Sequence, residues 1–292
     1  MTFFLQLLVS GFLYGALYAL IALGFVLIYK SSGVFNFAQG ELLMLSAYVC
    51  WSCVGIFPLW LAFVITFVFA IALGLLIEHI CIRPLVGQPL LAIIMVTIGL
   101  SCFLRGVVYP AWGGCAKPFP KLFPFMPWKL GEIAISQQYV YIFLISALVV
   151  GILLYFFART THGLAMRAMA EDHQAAQSVG IDVKGVFGQA WVIACLVSAV
   201  GAILVSSING IKPEIYELGL KVLPVVILGR LGSVGGAIIA GLTIGILENL
   251  VGGYIDPAVG GGLAAVSPYI VLMIVLMVKP YGLFGLQRIE RI

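Results

Sequence analysis

Stretches of about 20 apolar residues recur along this chain, and each is long enough to cross the hydrocarbon core of a bilayer as a helix. The first is the N-terminal segment, which carries no charged side chain before Lys30. It lacks a leading basic residue and is too long for a cleaved signal peptide, so it predicts a first membrane helix. Comparable runs cover Pro58–Cys81, Pro89–Tyr109, Tyr139–Ala158, Val186–Ile208 and Ser267–Val278. Three weaker segments, Val34–Gly55, Ile215–Gly229 and Gly235–Gly252, are interrupted by glycine, proline or polar residues. Counted together they predict nine crossings, within a range of about eight to ten. The expected fold is therefore an all-α polytopic bundle forming one transmembrane domain over residues 1–292. Composition agrees: 63% of the residues are hydrophobic and 9% are charged, against about 25% charged in soluble domains. The net charge of +4 is small for this length, and the basic residues stand mostly singly. That argues against nucleic-acid binding.

Arg159–Gly185 is the one long polar, helix-forming segment. Its alanines and methionines favour helix, with Gly163 expected to open it and Gly180 to close it in a left-handed conformation. A single helix of about four turns is predicted. Met166, Met169 or Ala170, His173 and Ala176 repeat at helical spacing, while Arg167, Glu171 and Ser178 fall on another side. Such a helix is either a solvated connector at the membrane surface or a docking element for a soluble partner. The pattern Ala175-Ala176-Gln177-Ser178-Val179-Gly180, with Glu171 and Asp172 before it, resembles the cytoplasmic coupling loop of ATP-binding-cassette importer permeases. In those loops small side chains let the groove of an ATPase close over the helix.

Basic residues in short loops favour the cytoplasm. With Arg159–Lys184 inside, Lys30, Arg83, Arg159, Arg167, Lys184, Arg230, Lys279, Arg288 and Arg291 lie on that side, opposed by Arg105, Lys117, Lys121, Lys129, Lys212 and Lys221. This places the N-terminus outside and the C-terminus inside. The external loop, residues 110–138, contains five prolines and favours extended or turn backbone over another span. It is read as a lid or binder-docking surface, or as a surface loop anchored by Trp112, Phe123 and Trp128.

Polar groups at membrane depth are costly and are usually retained for a pathway or a specific partner. Asn36, Gln39 and Glu41, flanked by Gly33 and Gly40, predict a discontinuous second helix whose end points backbone groups into the bundle, which suits a zwitterion. Alternatively, these three side chains satisfy one another at headgroup level. Glu248 and Asn249 stand well inside the apolar run Gly235–Gly252 and either line a path or neutralise a basic neighbour. Gly232, Gly235, Gly236, Gly241 and Gly245 predict close helix packing. Cys50 and Cys53 form a C-x-x-C with no second pair, so no metal site is expected. No G-x-x-x-x-G-K-[ST] loop is present, so this chain is not expected to bind ATP through one.

Taken as a set, ALYALIALGFVLIYKSSGVFNFAQGELLML, GLAMRAMAEDHQAAQSVGI, GLKVLPVVILGRLGSVGGAIIAGLTIGILENL and MIVLMVKPYGLFG resemble the first of the two permeases of branched-chain amino acid importers. The chain departs from that family at Gln39, where a histidine is usual, and at Gly229-Arg230-Leu231-Gly232-Ser233, where G-G-x-G-S is usual. The resemblance implies a non-catalytic permease subunit in a bacterial inner membrane. Its implied partners are a homologous second permease, two ATPases that bind ATP and Mg, and a periplasmic substrate-binding protein. Arg167, Glu171, Asp172, Ala175, Ala176 and Gly180 would couple to the ATPases, and Asn36, Gln39, Glu41, Glu248 and Asn249 would border the path. Relatives also carry urea, short amides and aromatic acids. A stand-alone secondary transporter using Glu41, Glu78 or Glu248 as an ion site is the competing class.

Overall fold

The computed structural model describes residues 2–85, 87–124, 126–130 and 133–279. The C-terminal arginines, Arg288 and Arg291, and the PYGLFG end of the family resemblance lie outside the described residues. Twelve α-helices occur among the described residues: α1 Thr2–Ser32, α2 Gln39–Val54, α3 Leu59–Ile77, α4 Leu90–Trp112, α5 Gln137–Arg159, α6 Thr161–Glu171, α7 His173–Ser178, α8 Val183–Asn209, α9 Glu217–Leu228, α10 Val234–Tyr254, α11 Asp256–Val259 and α12 Leu263–Val278. Helix α3 continues as a π-helical turn, Glu78–Ile82, and a 3-10 turn, Arg83–Leu85.

Six of these elements are long and apolar enough to cross a membrane: α1, α3 with its extension, α4, α5, α8 and α10. All nine apolar runs of the sequence contribute a helix. Three, however, are short. Helix α9 has 12 residues, about 18 Å of rise against a hydrocarbon core of about 30 Å. Helices α2 and α12 have 16 residues each.

Helix boundaries follow local chemistry. α1 ends where the Ser31 and Ser32 hydroxyls donate back to the Ile28 carbonyl and Gly33 takes φ +69°. Thr160 Oγ1 accepts the Gly163 N–H to open α6, the Asp182 carboxylate accepts from Lys184 N at the start of α8, and Ser233 Oγ accepts from Gly236 N at α10.

The chain packs as two compact units. The first comprises residues 1–22, 124–147 and 221–292, the second residues 23–123 and 148–220. In the first unit α1 and α10 cross on glycines: a Cβ on Gly15 would stand 2.8 Å from Leu242 Cα, and one on Gly241 2.6 Å from Ala19 N. The expected packing glycines thus divide. Gly236, Gly241 and Gly245 meet backbone, whereas Gly232 and Gly235 face open space. This unit also holds an antiparallel hairpin, Pro127–Leu130 with Ile133–Ser136, so part of the proline-rich loop is extended backbone.

In the second unit α2 is sheathed by α3, α4 and α8 and is buried from Gln39 through Tyr48. The remainder of the 110–138 loop closes over its far end. Trp51 Nε1 donates to the Pro118 carbonyl, Trp112 Nε1 donates to Ser52 Oγ, and Lys117 pairs its backbone with Ile211. Trp112 is therefore tied to α2 and is not simply an interfacial anchor.

Arg230 is exposed and is the one non-glycine residue with positive φ, +69°, among the described residues. It occupies the turn between α9 and α10, where left-handed backbone favours glycine. Arg230→Gly is expected to raise stability by about 1 kcal/mol, read as a higher unfolding midpoint in detergent. An unchanged or lower midpoint would show that the arginine side chain compensates for its backbone.

Candidate functional site

Two interrupted segments meet inside the second unit. After Gly33 the chain runs without helix to Ala38, and α2 starts at Gln39 with no side-chain cap. After Gly210 it runs through Ile211 and a 3-10 turn, Pro213–Tyr216, into α9. The two helix starts touch at glycines. A Cβ on Gly40 would lie 3.0 Å from the Tyr216 carbonyl carbon, and one on Gly219 would lie 2.6 Å from Gly40 N. Gly40 is therefore not the helix break its neighbours suggested. The break lies earlier, at residues 33–38, and Gly40 permits the backbone approach.

Polar side chains of the crossing itself meet others from the interiors of α4 and α8. Asn36 Oδ1 accepts from Ala38 N, and Asn36 Nδ2 donates to Gln39 Oε1 at 3.1 Å. Gln39 Nε2 donates to Ser198 Oγ at 2.8 Å, near the centre of α8. Gly24 makes room for that amide, since a Cβ there would overlap Gln39 Nε2. Glu41 accepts from Ser101 Oγ at 2.9 Å and from Arg105 Nε and Nη2 at 2.6 Å each. The Arg105 guanidinium stacks on Tyr216, 3.9 Å from the ring centroid. Because Glu41 lies in the first turn of α2, its negative charge also faces the positive end of the helix dipole.

Asn36 and Gln39 do satisfy each other, as one sequence reading allowed, but Glu41 does not join them. Its partners Ser101 and Arg105 were missed, as were Ser198 and Tyr216. Arg105 carried a signal, being a lone ionisable residue within the run Pro89–Tyr109. It lies inside α4, not in a loop. Lys221 likewise lies within a helix, α9: its Nζ lies 3.0 Å from Glu248 Oε1, and Tyr18 Oη donates to Glu248 Oε2. Glu248 thus neutralises a basic neighbour within the first unit. Asn249 packs beside it against α1, where a Cβ on Gly11 would lie 3.0 Å from the Asn249 Cβ.

A cavity of about 200 Å³ adjoins Asn36 in the second unit. Phe35, Ile93, Phe187 and Trp191 supply apolar walls, with Ser32, Asn36, Gln88 and Thr97 as polar groups. Trp191 Nε1 is buried there without a hydrogen-bond partner.

The polar segment 159–185 also differs from expectation. It forms two helices, not one, because Asp172 adopts extended backbone (φ −154°) and its carboxylate accepts from Ala175 N to start α7. Gly163 does not open α6. It packs on the backbone of Phe156 and Phe157. Gly180 ends α7 at φ +87° as predicted, with Ile181 N donating to the Ala176 carbonyl. Met166, Met169 and Ala176 are buried, while Glu171, Asp172, Ala175 and Val179 are exposed and Arg167 is half-buried. The side chain of His173 lies outside the described residues.

A family model described as the permease component of branched-chain amino acid transport systems matches residues 7–278. The chain belongs to this permease family. It is 31% identical to the high-affinity branched-chain amino acid transport system permease protein BraD of Pseudomonas aeruginosa and 32% identical to the corresponding protein LivH of Escherichia coli, covering 99% of this chain and 98% of each relative. A probable branched-chain amino acid transport permease protein LivH of Methanocaldococcus jannaschii is 28% identical, over 97% of this chain and 93% of its own length. Among solved structures, PsaBC from Streptococcus pneumoniae in complex with Fab aligns with a TM-score of 0.51 over 97% of this permease and 94% of that chain, at 12% identity. That likeness concerns the fold.

Proposed function

We propose that this permease forms half of the translocation path of a binding-protein-dependent importer for branched-chain amino acids, in a bacterial inner membrane. The observation that carries the reading is the crossing of α2 and α9 at Gly40 and Gly219, where interrupted backbone meets the buried Glu41 and its partner Arg105. Broken helices of this kind persist where they line a path or bury against protein. The cavity beside Asn36 supports an aliphatic cargo, because aromatic and branched walls meet only a few polar groups. Arg230, the charge that departs from the family pattern, is exposed in the turn between α9 and α10. In this reading Asn36, Gln39 and Glu41 border the path, and Glu248 and Asn249 support helix packing in the other unit.

The remaining partners are a second homologous permease, a periplasmic binding protein and two ATPases that hold ATP and Mg. Segment α6–α7 would dock an ATPase. Met166, Met169 and Ala176 face this chain's own interior, which leaves Glu171, Asp172, Ala175 and Val179 for a partner, with Gly180 setting the end of the helix. Setting Arg105 and Lys221 aside as topology signals leaves nine basic residues on the side of this segment against four on the other. That supports a cytoplasmic placement for α6–α7 and for the C-terminus, with the N-terminus periplasmic.

Reconstitution with an ATPase and a binding protein of the same importer type tests the reading. Leucine uptake and substrate-stimulated ATP hydrolysis are expected together, and both are expected to fall at least tenfold in Ala175→Arg, whose exposed position leaves the permease folded. Normal coupling in that variant would remove the docking role. Uptake of urea or an aromatic acid in place of leucine would overturn the substrate.

A further inference from the structure

A second, larger concavity of about 800 Å³ lies in the same unit between α3, α5 and α8, away from the Glu41 cluster. One end of it is polar, and several of its buried atoms lack hydrogen bonds. Glu78 is 6% exposed, yet its Oε1 has no hydrogen-bond partner, and neither do Arg83 Nε and Gln189 Oε1. Glu78 Oε1 and Arg83 Nε form a loose ion pair at 3.9 Å, beyond hydrogen-bond distance. Leaving such groups buried and unmet costs about 1–3 kcal/mol apiece, so an arrangement that keeps a donor and two acceptors open invites a ligand carrying both complements. The backbone there is specialised too, because Glu78 opens the π-helical turn at the end of α3, a local form that recurs at functional sites. Arg83 is held in place by its Nη1 bond to His79 Nδ1 at 3.1 Å, and Lys184 adds a second cation at the rim.

The other end is apolar and faces outward. Ile71 and Leu75 are 39% and 51% exposed, and Val192 and Ile193 continue the wall on α8. In a membrane helix that surface meets acyl chains.

We infer that this groove is a binding site for a phospholipid whose headgroup carries both a primary ammonium and a phosphate, as in phosphatidylethanolamine. The ammonium meets Glu78 and Gln189, the phosphate meets Arg83 and Lys184, and one acyl chain lies along Ile71, Leu75 and Val192. A phosphatidylglycerol headgroup supplies no donor cation for Glu78. Phosphatidylcholine supplies the charge but no N–H.

The full-length protein, stripped of lipid in detergent, is titrated with each of the three lipids while its unfolding temperature is followed. Phosphatidylethanolamine is expected to raise the midpoint at concentrations at least tenfold below the other two. Glu78→Gln is expected to abolish that preference while leaving the weaker phosphatidylglycerol response in place, and Gln189→Leu is expected to reduce it, which keeps the test decisive if the first variant does not fold. Water-soluble phosphoethanolamine is expected to give no shift at the same concentrations. Equal responses to all three lipids, a preference for phosphatidylglycerol, or an unchanged preference in the variants would each overturn the site. A response to free phosphoethanolamine equal to that of the lipid would overturn its assignment to a membrane lipid.

Discussion

Arg105→Leu is expected to lower the stability of the permease by about 3–5 kcal/mol, because it strands a buried charge. Glu41 is 2% exposed, and without the guanidinium it keeps one hydroxyl donor, Ser101, for a full negative charge. The reciprocal change is milder. Glu41→Gln leaves a guanidinium whose side chain is one-third exposed and still stacked on Tyr216, and the new amide continues to accept from Ser101. The double variant Glu41→Gln with Arg105→Met is expected to recover most of the lost stability, since removing both charges of a buried pair is often near neutral. Transport separates the two roles of the pair. If the charges only hold α2 against α4, the double variant transports at wild-type rates. If they shape the path, its uptake stays low although its unfolding midpoint has returned. An Arg105→Leu protein that unfolds together with the wild type would show that the pair contributes nothing to the fold.

The second large effect is steric. Gly40→Ala and Gly219→Ala are each expected to destabilise by about 2–3 kcal/mol, near the top of the range for overpacking. Each new methyl meets backbone of the other segment, Tyr216 and Gly219 in one case and Gly40 in the other. A flexible side chain can swing aside, but backbone inside a packed bundle yields only by moving two helix starts apart. Uptake is expected to fall in both variants, and their combination is expected to cost less than the sum, because one displacement relieves both clashes. Gly232→Ala or Gly235→Ala provides the control, since a Cβ at either position meets open space. Equal losses at all four glycines would mean that helix propensity, and not the crossing, sets the effect.

Membrane residence, helical class and family were legible in the chain itself, for a simple reason. Lipid offers no partners for backbone polar groups, so every long apolar run must become a helix. The nine runs did so. Local caps were equally legible in kind, as the left-handed Gly180 shows, although the helix break at Asp172 was not: an aspartate can close one helix and open the next through its own side chain. The polar triplet Asn36, Gln39 and Glu41 stood out because polar groups are expensive in an apolar run, and it does sit at the candidate site.

What the sequence by itself did not determine was partnership. Glu41 pairs with Arg105 and Ser101 some 60 residues away, Gln39 with Ser198 across 159, and Glu248 with Tyr18 across 230. A charge in a membrane helix announces that it needs a counter-charge, but helical spacing carries no information about which distant helix supplies it. Arg105 and Lys221 therefore read as loop charges until their carboxylates were beside them. The same holds for glycine. Gly40 and Gly232 each stand in a glycine-containing polar stretch, and only packing showed that a side chain at Gly40 would strike another segment's backbone while one at Gly232 would meet nothing. Burial against a particular neighbour is a property of two segments at once, and the tertiary structure is where the second segment is chosen.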